Sequence, residues 1–359
     1  MKNWDAIVIG AGIIGLSLAL ELNQHGLRVL VVEKGELGRE ASWAAGGMLV
    51  DCPGETQPGL RELAAASARM YPEFVRELED ESRMKIDLRS VGTLVFTRDE
   101  IALAQNSYAL PAALEELEPA VPVANVRSGC RVLYLKERCV DPRDVTAAAA
   151  GAARLRGVDF SVGEGVVAVE VTNGKACGVR TCKTELRAGM VVNCAGAWAG
   201  QIGPHAFPTR PVKGQMLCVV MPEKELVRHV VRTIGWEQDV YLIPRSDGRM
   251  LIGATSEEAG FDKRTVPGTI ERLRQAAIEL VPKLAEARTL EAWAGLRPGT
   301  PDKLPILGAT PTAGYFVATG HYRDGILLAP ATARVMGRVM TGQKSEFDLS
   351  CFSATRFAA

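Results

Sequence analysis

Ala6-Ile7-Val8-Ile9-Gly10-Ala11-Gly12-Ile13-Ile14-Gly15 opens the chain with four apolar residues followed by glycines in the spacing GxGxxG. A short apolar run closed by a glycine turn reads as a strand buried on both faces. The run 13–25 reads as a helix ended by Gly26, and Val29-Leu30-Val31-Val32 as a second buried strand closing in Glu33. Together they predict one βαβ unit. In that setting Gly10 permits the tight turn, Gly12 lets the backbone approach a pyrophosphate, and Gly15 lets helix and strand pack closely. The helix N-terminus aims N–H groups and the positive end of its dipole at the same place. Glu33 would accept hydrogen bonds from ribose hydroxyls. The motif leaves FAD and NAD both open, because each brings the same pyrophosphate.

Further along, the pattern changes. The runs 89–96, 215–220, 240–244 and 250–254 are strand-like and separated by turns such as Ser246-Asp247-Gly248, which predicts a mainly antiparallel sheet. Between them lie an alanine-rich helical stretch, 144–154, and a strand, 190–194, that leads into Ala195-Gly196-Ala197-Trp198 and returns the chain to the first sheet. A strand at 315–319 and a helix at 325–340 close the pattern. The expected fold is therefore α/β plus α+β: a Rossmann-like nucleotide-binding domain interleaved with a second domain on a mainly antiparallel sheet. The expected division is 1–84, 140–209 and 296–359 for the first and 85–139 and 210–295 for the second.

Composition narrows the function classes. The 359 residues are 47% hydrophobic and 23% charged, enough to bury a large core and unlike a disordered chain. Lys plus Arg and Asp plus Glu both number 42, so no basic field points to nucleic acid or an anionic membrane. The apolar stretch 6–20 falls short of the roughly 20 residues a span needs, and no small-residue cleavage site follows it, so neither a transmembrane segment nor a signal peptide is expected. Eight cysteines without a CxxC pair argue for a reducing, hence cytoplasmic, compartment. His25, His205, His229 and His321 stand apart from one another, so no metal site is expected. No GxSxG supports a serine hydrolase either.

After Glu33 comes Gly38-Arg39-Glu40-Ala41-Ser42-Trp43-Ala44-Ala45-Gly46-Gly47-Met48, a run of small residues that lets backbone lie close to something flat. An isoalloxazine ring needs such a loop and a plain NAD site does not. This run, GAGIIG at 10–15, Ala294-Gly295-Leu296-Arg297-Pro298-Gly299-Thr300-Pro301-Asp302, and Gly320-His321-Tyr322-Arg323-Asp324-Gly325-Ile326-Leu327-Leu328-Ala329-Pro330-Ala331-Thr332 resemble the FAD-dependent amine oxidases of the D-amino acid oxidase superfamily. Within it they are most similar to the glycine oxidases of thiamine biosynthesis, and the resemblance runs in order to about residue 340.

The resemblance implies non-covalent FAD, since the cysteine that tethers flavin in related sarcosine oxidases has no counterpart between Trp293 and Leu307. It places the adenosine half of FAD on Ile13, Ile14, Glu33 and Lys34, with a backbone contact at Val166. Phosphate and flavin contacts fall on Ala41, Ser42, Gly46, Gly47 and Met48, and the pyrimidine edge of the ring on His321, Tyr322, Arg323, Asp324, Gly325, Ile326 and Leu327. Independently of the resemblance, a loop entering a helix near Asp324 and Gly325 aims N–H groups at a place where reduced flavin carries negative charge. The substrate carboxylate falls to Arg297, assisted by Tyr241, with Arg323 beside them. A guanidinium fork meets a carboxylate with two parallel charge-assisted bonds.

The implied activity is oxidative deamination of glycine, other small amines or D-amino acids by hydride transfer to flavin. It would yield imine or oxo acid, ammonia and, with oxygen as acceptor, hydrogen peroxide. Orientation suffices for this chemistry, so no general base is assigned. The resemblance also implies a homotetramer. The loop 51–59, with Cys52-Pro53-Gly54, and the triplet Gln238-Asp239-Val240 depart from the glycine oxidase pattern, which leaves substrate size open. A D-amino acid oxidase, or a dehydrogenase passing electrons to a quinone, is the alternative. A silent FAD-binding subunit is disfavoured because Arg297 and Tyr241 are both present.

Overall fold

In the computed structural model, which describes residues 3–51, 56–97, 110–111, 114–122 and 130–357, the strand Trp4–Ile9 lies between Val29–Glu33 and Glu185–Asn193 and runs parallel to both. Asp159–Val162 extends this parallel set on one side and Tyr315–Thr319 on the other. Ile306–Ala309 is added antiparallel at the edge. The start of Glu185–Asn193 also pairs antiparallel with Lys175–Thr181, which forms a hairpin with Val166–Thr172. The parallel strands are apolar on both faces because both are covered. Helices Ile13–Gln24, Arg61–Ser82, Pro142–Leu155 and Gly325–Met340 pack together on one face, and Val169, Ala176, Val179 and Phe207 cover the other.

The second sheet has eight strands in the spatial order Arg288–Gly299, Arg210–Val220, Arg249–Gly253, Tyr241–Pro244, Val230–Ile234, Thr93–Thr97, Arg131–Leu135 and Leu110–Pro111. Among the described residues of this sheet only Val230–Ile234 and Thr93–Thr97 pair parallel. Strand alternation divides its side chains. Leu94, Phe96, Leu217, Val219, Val231, Leu242, Met250 and Ile252 pack on Leu273, Ala277 and Leu280 of the helix Pro267–Leu280. The residues between them turn to the opposite face.

One sequence expectation is corrected here. The run 89–96 is two strands in different sheets. Leu88–Arg89 pairs with Arg138–Val140 in a small three-stranded sheet, and Thr93–Thr97 joins the large one. Gly92 makes the break at φ 108°, where an added Cβ would stand 2.4 Å from the Tyr134 ring. The departing residues Cys52, Pro53 and Gly54 lie outside the described residues. Among the described residues no helix is long and apolar enough to cross a membrane.

Candidate active site

The carboxyl ends of the parallel strands open onto one cavity of about 1290 Å³, the place where open α/β sheets bind ligands. Its first wall is the turn 10–12. The Gly10 N–H donates to Val32 O at 2.8 Å, and a Cβ on Gly10 would lie 2.7 Å from Cys194 O, so the turn tolerates no side chain. Glu33, almost fully buried, fixes the turn from behind: its carboxylate accepts from the Ala11 N–H at 2.8 Å and the Gly35 N–H at 3.0 Å. The Ile13 N–H, at the helix start, donates to Ser42 Oγ at 2.9 Å. Lys34 lies over the Trp198 ring, 3.0 Å from its centroid, and burial lowers its pKa against the opposing pull of Glu40.

The small-residue loop is fastened to the second sheet by two buried side chains. Trp293 Nε1 donates to Ala44 O at 3.1 Å. Arg245, 2% exposed, donates to Gly46 O at 2.7 Å and Val140 O at 3.1 Å. These bonds bring the loop against the face of the sheet that the helix leaves free. Gly46 and Gly295 make the approach possible, since a Cβ on Gly46 would come 2.7 Å from Ile243 Cδ1 and one on Gly295 2.4 Å from Ala44 Cβ.

That face carries one continuous row of cross-strand neighbours: Trp293, Met216, Gly253, Tyr241, Arg232 and Val95. Side chains so paired point the same way. Arg297, four residues along from Trp293 on the same strand, shares the face. Its Nη1 donates to Thr255 O at 3.0 Å and Lys213 O at 3.4 Å. Burial raises the Tyr241 phenol pKa, opposed by a hydrogen bond and charge from Arg297 and by Arg323. Tyr322, held at φ 49° with its N–H on Pro298 O at 3.0 Å, goes the other way: burial would raise it, but Arg323, Ser256 and Arg297 together lower it. Two guanidiniums and two phenols therefore converge on one end of the cavity.

The helix Gly325–Met340 starts at the same place. Burial pushes the carboxyl of Asp324, just before it, up to about 6. His321 is buried with Nε2 3.1 Å from Thr332 Oγ1, and burial pushes its pKa down to about 3, which favours the neutral ring.

Of the residues singled out in the sequence, Gly10, Gly12, Ile13, Ile14, Glu33, Lys34, Ala41, Ser42, Gly46, Gly47, Met48, Val166, Tyr241, Arg297 and the run from His321 to Ile326 line this cavity. Gly15 and Leu327 do not. Gly15 packs the helix on the turn, where a Cβ would meet Gly10 O at 2.0 Å. The Leu327 side chain is in the core and its carbonyl accepts from Ser67. Sequence reasoning missed Gly214, Thr255, Trp198 and Arg232, which also line it, and Gly253, which stands opposite Tyr241. The glycines had a readable signal, since 214 and 253 fall at the outward-turned positions of alternating strands.

Comparison with known proteins completes the picture. Residues 5–338 match the family of FAD dependent oxidoreductases. The chain belongs to that family. It is 35% identical over 356 residues to a glycine oxidase of Pseudomonas aeruginosa, covering 95% of this chain and 96% of the relative. It is 34% identical to the bifunctional protein ThiO/ThiG of Trichormus variabilis, covering 98% of this chain and 55% of that one. The crystal structure of glycine oxidase from Geobacillus kaustophilus superposes with a TM-score of 0.91 at 30% identity over the full length of both chains. For an FAD-dependent oxidoreductase the cavity has a fitting form. It exceeds the roughly 300–1,000 Å³ of ordinary small-molecule pockets. One end is a glycine turn at a helix N-terminus suited to a pyrophosphate, and its middle is a backbone slot between the segment 41–48, which opens with the short helix Ala41–Ala44, and the sheet.

Proposed function

We propose that the chain oxidises glycine and other small amino acids to the imine, which water converts to oxo acid and ammonia, with oxygen reduced to hydrogen peroxide. The observation that carries this reading is Arg297. Its guanidinium is fixed on two carbonyls beside Tyr241, at the end of the cavity that the segment 41–48 and the helix start at Gly325 enclose. Bound in this cavity, FAD would supply the two-electron oxidant for the substrate α-carbon, with oxygen as the final acceptor. Glu33, Lys34 and Val166 would hold its adenosine half, Gly10, Gly12 and Ser42 its phosphates, and loop 46–48 and 321–326 its ring.

The protein's own part is orientation. Arg297 grips the carboxylate with two parallel bonds and Tyr241 adds a third donor, which leaves the α-carbon one allowed direction. Arg297 and Arg323 also oppose an ammonium nearby and so favour the neutral amine that must release the hydride. With His321 tied to Thr332, no side chain is assigned as base. In the same reading the imine serves thiamine biosynthesis, the enzyme is cytoplasmic and homotetrameric, and the chain divides into FAD-binding (1–84, 140–209, 296–359) and substrate (85–139, 210–295) domains.

A second reading, oxidation of larger D-amino acids with oxygen or a quinone as acceptor, is favoured by the cavity's continuation beyond Tyr241. There it is lined by Arg232, bonded to Glu137 at 3.1 Å, and by Thr233 and Gln238. Anaerobic bleaching of the flavin with glycine, sarcosine, D-alanine and D-proline, followed by air, tests both. Fastest bleaching with glycine, reversed by air with peroxide formed and much weakened in Arg297→Ala, supports the first. Faster bleaching with D-alanine and slow recovery in air moves the assignment to a D-amino acid dehydrogenase, and a yellow protein that none of them bleaches rejects both.

A further inference from the structure

The two residues whose carbonyls receive the Arg297 guanidinium, Lys213 and Thr255, are both bonded to one residue that lies outside the cavity lining, Glu257. The Glu257 N–H donates to Lys213 O at 2.9 Å and its carbonyl accepts from the Lys213 N–H at 2.9 Å, an isolated antiparallel bridge just past the end of the strand Arg249–Gly253. Its side chain takes the other anchor: Glu257 Oε1 accepts from the Thr255 hydroxyl and, at 2.8 Å, from Gln215 Nε2. The Thr255 hydroxyl accepts in turn from the Gln215 N–H at 2.9 Å. Gln215 is fully buried, with its Oε1 taking the Val266 N–H at 2.7 Å. Lys213, 3% exposed, places Nζ 3.9 Å from Glu257 Oε2.

Strand alternation explains the arrangement. Lys213 and Gln215 point to the helix-covered face of their strand, while Gly214 between them opens the cavity face to Arg297. The polar network is thus behind the sheet, separated from the substrate end by one layer of backbone. It reaches the cavity through the Thr255 and Lys213 carbonyl oxygens. A guanidinium on these two carbonyls meets a carboxylate in two parallel bonds only if the carbonyls do not move, because the fork is rigid.

We propose that Glu257 is a positioning residue for Arg297: through the Thr255 hydroxyl and the Lys213 backbone it sets the angle at which the guanidinium meets the substrate carboxylate. The inference rests on the proposed role of Arg297. The alternative is that Glu257 merely neutralises buried Lys213, which would affect stability and leave ligand geometry alone. Burial would raise the Glu257 pKa, but Thr255, Gln215, Lys213 and Arg272 outweigh it and keep the carboxylate charged at neutral pH.

The test uses the FAD-loaded enzyme and compares Glu257→Gln, Glu257→Asp and Glu257→Ala with Arg297→Lys. Two readouts are taken. Acetate, a carboxylate with no amine to oxidise, is titrated against the visible flavin spectrum for its Kd, and glycine turnover gives KM and kcat. The expected result is a rise of about tenfold or more in acetate Kd and glycine KM for Glu257→Ala, with kcat within about threefold of wild type, as loss of a fixed charge-assisted pair predicts. Glu257→Gln, which keeps an oxygen acceptor for Thr255, is expected to recover most of the acetate affinity despite losing the charge on Lys213. Should Glu257→Ala fail to fold, Glu257→Asp carries the test, since its shortened chain withdraws the acceptor and keeps the charge.

Acetate Kd unchanged within twofold in Glu257→Asp or Glu257→Ala, while Arg297→Lys weakens it, overturns the proposal and leaves the role of Arg297 intact. Equal weakening in Glu257→Gln and Glu257→Ala also overturns it, because charge alone would then matter. If acetate binding is indifferent to Arg297→Lys, the reading of Arg297 itself has failed.

Discussion

Gly214 lies directly beneath the guanidinium of Arg297: a Cβ placed on it would stand 2.4 Å from both terminal nitrogens and 2.6 Å from Cζ. The contact involves the working end of the arginine and little else, so a methyl group there is a local probe of the clamp. Gly214→Ala is expected to fold with a loss of about 1–3 kcal/mol, the usual cost of overpacking. Its glycine KM should rise at least about tenfold, because the guanidinium leaves its two carbonyls. Steady-state kinetics beside thermal unfolding check this, and an unchanged KM would mean that Arg297 does not bind substrate from the observed position.

Tyr241 stands opposite Gly253, whose Cβ would fall 2.8 Å from the phenol oxygen and 2.6 Å from Cε2. The ring therefore occupies space that glycine vacates, and its hydroxyl is aimed at the arginine end of the cavity. Tyr241→Phe keeps the ring and removes one donor to a carboxylate. A loss of about 1.5–3 kcal/mol in kcat/KM is expected, most of it in KM. Circular dichroism and FAD content should match wild type, and a kcat loss with KM unchanged would instead place the hydroxyl at the transition state.

Asp324 gives a pH dependence with a definite sign. Burial raises its pKa from 3.8 to about 6, with Arg323 opposing. The folded chain thus holds that proton more tightly than the unfolded one. Stability from the protonated form is complete below about pH 3.8 and is lost as the pH rises through 6. Asp324→Asn, freed of FAD, is expected to be more stable than wild type at pH 7.5, with the difference shrinking towards pH 4.5. Urea midpoints at the two pH values decide it, and a difference independent of pH would show that the carboxyl titrates normally.

The βαβ opening was legible because a local pattern decides it: Ala6–Ile9, the glycine spacing and Glu33 lie within one window. Gly325–Met340 was also legible, although it contains Pro330. The helix Arg61–Ser82 was not. Pro72 interrupts its pattern, and what rescues it is distant in sequence: Arg138 Nη1 donates to Ala68 O at 3.4 Å, the carbonyl that Pro72 cannot serve. The Glu257 network was invisible for a similar reason. Lys213, Gln215 and Thr255 are ordinary residues until strand pairing brings them together. Arg297 and Tyr241, which line the cavity, were singled out only through the motifs around them, since a single arginine or tyrosine carries no signal of its own.

Pro330 leaves the Ile326 carbonyl without its helical partner four residues on, and the buried Tyr71 hydroxyl donates to it at 3.1 Å. Ser67 enters the next bond of the same helix: its hydroxyl donates to Leu327 O at 2.6 Å and accepts from the Ala331 N–H at 3.2 Å. Arg61–Ser82 thereby holds open the first turn of the helix whose start faces the cavity. Tyr71→Phe strands a buried acceptor and should cost about 1–3 kcal/mol. In a Pro330→Ala background the backbone recovers its own N–H donor, so the same Tyr71→Phe change should cost about 1 kcal/mol less. A double-mutant cycle by urea unfolding measures the difference. Equal costs in both backgrounds would show that Tyr71 stabilises the helix by packing alone.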